Sequence, residues 1–207
     1  MKLIPYILFL FFIACNGTNT QNKAQQLNDS AVSMSLLGDT AKVTAAIELL
    51  NKATAMQSDY YVAYWNKLIF QRQLGLMDDA FSTLKIMEQL NPENPDLKTM
   101  LGSVYEKYKK DTIQAVNKYK EADLLYKSIL DTLSSESISY QNMLINYAIN
   151  TKLLGQENNA KTILTSIIQD SNNEDFNELI DASLVRKTRI ELLESVFQCP
   201  PLPRVSK

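Results

Sequence analysis

Two pairs of adjacent carboxylates, Asp78-Asp79 and Glu174-Asp175, are the residues best suited by type to acid–base chemistry. Each pair stands just ahead of an apolar run with helical spacing, where the helix dipole favours anions. Their expected role is therefore to open helices. Nothing else in the chain assists catalysis. It has no histidine, the commonest general base and metal ligand. Its two cysteines, Cys15 and Cys199, have no partner base, and its five glycines are scattered instead of forming a phosphate-binding loop. The chain reads as no enzyme, with no metal, no cofactor and no small-molecule substrate expected.

Cys15 suggests a different chemistry. It follows MKLIPYILFLFFIA, a single Lys2 and then an apolar run over residues 3–14. That run is far short of the roughly 20 residues needed to span a bilayer, and it has the form of a secretory signal. The residues Phe12-Ile13-Ala14-Cys15 resemble the lipobox of bacterial lipoproteins, with small Ala14 in place and Phe12 where leucine is usual. The resemblance implies a signal peptide over residues 1–14 and acylation of Cys15, the palmitate-type anchor of a protein that is tethered and does not span the membrane. It implies a cell-envelope location, with the periplasmic face of the outer membrane preferred, since no acidic run follows Cys15. Residues 15–26 are polar and read as a flexible tether.

With Cys15 acylated, only Cys199 remains, and one cysteine forms no internal disulfide. The formal charge is −2, from 21 Lys+Arg against 23 Asp+Glu. No basic footprint of the kind that binds phosphate backbones is present, so nucleic acid is not an expected partner. About 190 mature residues suffice for one extended domain.

The elements that carry these residues are read from a spacing of about 34 residues. Residues 61–94 read YVAYWNKLIFQRQLGLMDDAFSTLKIMEQLNPEN, with Gly75 at a turn, Ala80, Leu84 and Met87 on a second helix, and Asn91-Pro92 closing the unit. The next unit carries Leu101, Gly102 and Tyr105, then Ala115, Tyr119 and Ala122 after one extra residue. Weaker units cover residues 27–60, with Ala46, Leu50 and Ala53, and residues 141–171, with Gly155, Ala160, Leu164 and Ile167. This pattern resembles the tetratricopeptide repeat (TPR). The resemblance implies an all-α, right-handed α-solenoid of about four helix–turn–helix units over residues 27–60, 61–94, 95–130 and 141–171. A helix extended through the region 131–140 is expected between the last two. Residues 172–197 are expected to form a capping helical segment opened by a capping box from Ser171 to Glu174. Residues 198–207 form a proline-containing tail.

The same resemblance implies a partner-binding groove lined by the first helix of each unit. On this chain the corresponding positions are Val62, Trp65, Ile69 and Arg72, then Thr99, Ser103, Glu106 and Lys107, then Asn142, Ile145, Ile149 and Lys152. Aromatic and arginine anchors are what binding hot spots favour. The alternative is that Trp65 and the isoleucines pack against the cap or a neighbouring turn. The first unit offers Ala31 and Ser35, without the Lys and Asn by which some family members clamp a terminal carboxylate. The methionines are expected to fill irregular gaps in the core.

Four Asp-Ser/Thr-apolar triplets, centred on Ser30, Thr40, Thr112 and Thr132, resemble the O-glycan acceptors of envelope proteins from Bacteroides-like bacteria. Asp, Ser and Thr are also the residues that cap helices. The expected function is a non-catalytic protein–protein interaction scaffold of the cell envelope, binding a protein or peptide segment. Alternatives are a lipoprotein of outer-membrane-protein or pilus assembly, and an inhibitor or immunity protein that occludes a toxin or hydrolase.

Overall fold

The computed structural model describes residues 14–36 and 39–196. Every regular element among them is helical, so the fold class is all-α. Among the described residues the chain divides into two compact units, one ending at residue 83 and the other beginning at residue 84. Residues 1–13 of the expected signal peptide, Phe197, Cys199 and the expected tail lie outside the described residues.

The first unit holds α1 (Ala14–Ser35), α2 (Thr40–Met56), α3 (Tyr61–Gln73) and the start of α4 (Met77–Leu90). Small residues set its packing. Ala24, Ala31, Ala46, Ala53 and Ala63 are fully buried with Val43 and Leu50, and Phe70 fills the space beside them. Alanine keeps helix axes close, and the larger side chains interlock in the remaining gaps. The flexible tether expected over residues 15–26 is instead part of α1. Ala24, Asn28 and Ala31 recur at spacings of four and three, which gives this polar stretch one face to bury. Asn28 is itself buried and accepts a 2.8 Å hydrogen bond from Asn66 of α3. Gln71 and Thr83 pair at 2.8 Å, joining α3 to α4 inside the core.

The second unit contains α5 (Pro95–Lys107), α6 (Thr112–Leu130), α7 (Ile138–Leu153), α8 (Glu157–Asp170) and α9 (Glu174–Ile180). A π-helical turn (Asp181–Val185) and α10 (Arg189–Val196) complete it. Successive helices from α5 to α8 pack as neighbours, as short connections require. Caps mark the starts. Asn94 accepts from the Asp96 amide at 2.9 Å ahead of Pro95, and Asp111 accepts from Gln114 at 3.0 Å. Ser137 accepts from Tyr140 at 3.1 Å. Each such cap contributes about 1 kcal/mol.

Two expectations about this unit are corrected. The region 131–140 is not an extension of α6, which stops at Leu130; α7 begins only at Ile138. Ser134 and Ser137 favour turn and cap geometry, and the Ser137 hydroxyl donates to the Ser134 carbonyl. The capping box at Ser171 is also absent. Asn173 caps α9, accepting from the Phe176 amide at 3.0 Å, while Ser171 closes α8.

Three helix–helix turns need a left-handed residue. Gly75 (φ +72°) and Gly155 (φ +87°) supply it after α3 and α7 at no steric cost. After α5 the same role falls to Lys110 (φ +55°), beyond the one extra residue of that turn. A side chain disfavours this conformation by roughly 1–2 kcal/mol, partly offset by glycine's greater freedom in the unfolded chain. Lys110→Gly is expected to stabilise the protein by about 0.5–1 kcal/mol. A thermal melt that shows a lower midpoint for the variant would refute this account of the turn.

Candidate partner-binding faces

α3 presents two faces with different fates. Ala63 and Phe70 turn into the first core, and Tyr64 and Leu68 are buried as well. Val62 is 53% exposed and Trp65 37% exposed. Ile69 is half-buried and packs against the core cluster, and Arg72 is half-buried near the helix end. Of the four α3 positions singled out, Val62 and Trp65 are therefore the open ones. Lys67 of the same helix is held below the usual lysine range by burial, against the opposing pull of Asp79 and Glu48.

On α5 and α7 the expected open groove is corrected. Thr99 and Ser103 are buried in the core. Thr99 donates to the Asn150 side-chain oxygen at 3.0 Å, and Asn150 donates to the Tyr119 carbonyl at 2.9 Å. Tyr119 in turn donates to Glu106 at 3.1 Å, and Tyr126 donates to Asp96 at 2.6 Å. Burial raises the pKa of both tyrosine hydroxyls, and the adjacent carboxylates Glu106 and Asp96 add to the effect. These groups form a satisfied polar network, which fixes the arrangement of three helices.

The remaining positions are covered by the chain's own C-terminal segment. Lys152 is only 5% exposed, and its ammonium donates to the carbonyls of Leu184 and Val185 at 2.8 and 3.3 Å. Burial lowers its pKa. Ile145 packs with Phe176, Ile180, Leu184 and Val185, and Ile149 with Leu192 and Leu193. Lys107 pairs with Glu194 at 2.8 Å and donates to its carbonyl at 3.0 Å. Glu106 binds Arg189 at 2.7 Å. Only Asn142 stays exposed. For the isoleucines, packing against the cap is the arrangement observed. The covering residues all lie in the segment 172–197 expected to cap the solenoid, and Leu193 is on its apolar stripe; Arg189, Leu192 and Glu194 carry no such signal in the sequence.

The carboxylates serve structure. Asp78-Asp79 and Glu174-Asp175 occupy the first turns of α4 and α9. A more concentrated charge cluster, not singled out from sequence, joins Glu88 and Glu121 to Lys98 and Lys118. Glu88 lies 2.6 and 2.8 Å from the two lysines, and Glu121 lies 3.1 and 2.8 Å from them. Burial would raise the Glu88 pKa, yet the hydrogen bonds from Lys118 and Lys98 prevail and lower it. A carboxylate held ionised between two cations is a poor proton donor at neutral pH.

The four candidate glycan acceptors all expose their residue to solvent. Thr40 and Thr112 open α2 and α6, with Asp39 and Asp111 acting as the caps. Ser30 lies within α1 and donates to the Gln26 carbonyl at 2.7 Å. Thr132 follows α6 and donates to the Ile129 carbonyl at 2.7 Å. Capping thus accounts for two of the four aspartates.

No protein-family model and no curated protein matches the chain. Among solved structures it is similar to YrrB, described as a TPR protein with an unusual peptide-binding site. The identity is 15%, the coverage 89% of each chain and the TM-score 0.49. The fold class given above rests on the helices and their packing, not on this likeness.

Proposed function

We propose that the protein is a non-catalytic interaction module of a bacterial cell envelope, anchored through lipid on Cys15 and engaging a protein or peptide through the outer face of α3. The observation that carries this reading is the exposure of Trp65 beside Val62 on a helix whose other face is fully committed to the core. Trp65 buries close to two thirds of its surface, yet more than a third stays in water, and tryptophan is a residue type enriched at binding hot spots. No helix among the described residues is long and apolar enough to cross a membrane. The anchor is proposed at Cys15 on the strength of the residues preceding it.

Val62→Ser/Trp65→Ala tests the surface. Val62 keeps about half and Trp65 just over a third of its surface in water, so the variant must first be shown to keep its helical spectrum at the assay temperature. A protein recovered from native envelope by the parent chain and at least tenfold less by the variant would support the α3 face. Equal recovery would remove it. One intact-mass measurement tests the modifications. Native protein heavier than residues 15–207 by a diacylglyceryl and an acyl group would support the anchor, and Cys15→Ser should lose that increment and its membrane association. A mass equal to lipid plus polypeptide would exclude glycans at Ser30, Thr40, Thr112 and Thr132.

A further inference from the structure

The position of α10 exceeds what capping requires. The exposed end of the last hairpin, α7 and α8, is already covered by α9 and the π-helical turn. Phe176, Ile180, Leu184 and Val185 fill the cluster around Ala148, Leu164 and Ile167. α10 does not extend that cover. It turns back across α7 to α5, reaching residues 83 and 87 positions earlier in the chain. There it lies on α5 and α7, on the face they share.

Its contacts are those of a ligand in a receptor. Leu192 and Leu193 enter a floor made by Tyr105, Ile149, Leu153 and Leu154. Arg189 donates from its Nε to the Leu153 carbonyl at 2.7 Å and from its terminal nitrogen to Glu106. Glu194 accepts from Lys107, and its side chain remains 54% exposed. Ile190, on the opposite side, is 70% exposed. The helix is eight residues long and joined to the π-helical turn by the non-helical residues 186–188. A helix of that length is not stable alone in water, so docking is what makes it helical.

We infer that α10 is a resident, displaceable ligand of the α5–α7 face. The partner this face fits is an amphipathic helical segment of the same chemistry: a basic residue, an apolar pair three and four positions on, and an acidic residue next. Release of α10 would present Glu106, Lys107, the Leu153 carbonyl and the apolar floor together. Binding there is autoinhibited by the chain's own C-terminal helix. The inference concerns α5 and α7 and stands independently of the α3 face proposed above.

The probe is a labelled synthetic peptide of residues 186–196, RKTRIELLESV, added to the full chain. Leu192→Ala/Leu193→Ala is expected to weaken the resident helix, so that this variant binds the peptide at least tenfold more tightly than the parent does. Adding Lys107→Glu should reduce that binding severalfold, and a peptide carrying Glu194→Lys should restore it. Equal binding by parent and variant, or none by a variant that keeps its helical spectrum, would overturn the proposal. Should the variant fail to fold, hydrogen exchange on the parent chain decides. Amides of α10 exchanging together at least tenfold faster than those of α5 and α7 would support a detachable helix. Exchange at the same rate would make α10 an integral part of the fold and end the idea.

Discussion

Gly102→Ala is expected to cost about 3 kcal/mol and to lower the melting midpoint by roughly 6–10 °C. The cause is contact, not backbone conformation. A β-carbon at position 102 would stand 2.5 and 2.6 Å from two ring carbons of Tyr119, well inside van der Waals distance. Tyr119 has no easy retreat. Its ring is fully buried, and its hydroxyl is tied to Glu106, which in turn binds Arg189. The strain must therefore spread into α5, α6 and the docking of α10. Gly75→Ala is the matched control. It meets nothing within 4 Å and carries only the penalty of a left-handed backbone, about 1 kcal/mol. Equal losses from the two substitutions would show that α5 and α6 tolerate a wider spacing than this contact implies.

Asn150→Ala is expected to be nearly as damaging, at about 3 kcal/mol, for an electrostatic reason. Asn150 is completely buried and bonds both α5, through Thr99, and α6, through the Tyr119 carbonyl. Removing its amide takes away the side-chain donor to that carbonyl, which keeps only its own helical bond. Thr99 keeps only a 3.4 Å approach to the Tyr126 hydroxyl. Each buried polar group left without a partner costs about 1–3 kcal/mol. Thr99→Val removes one stranded group in advance, so the double variant should lose less than the sum of the single ones. Strict additivity in the denaturation free energies would mean that Thr99 and Asn150 do not act as a pair.

Much of the architecture was legible because it is local. Gly75 and Gly155 announce left-handed turns, and the buried Ala115, Tyr119 and Ala122 follow the spacing expected of a helix packed on α5. Asp39, Asn94 and Asp111 stand where helices begin. Such signals operate over three or four residues, within one turn of helix. The start of α1, residues 15–26, escaped notice because its composition alone reads as polar linker. Lys110 escaped because nothing in its type predicts a positive φ.

The candidate site divides along the same line. The sequence by itself determined that α3, α5 and α7 are helices, and which residues of each share a face. It could not determine what covers that face, because an amphipathic period records that a side is buried or bound without recording by what. Only the tertiary structure decided that Trp65 and Val62 stay in water, while Ile149, Lys107 and Lys152 meet residues far along the same chain. The reason is one of range. Helices and turns are fixed by neighbours in sequence, whereas the docking of α10 depends on shape and charge matched across more than 80 residues of chain.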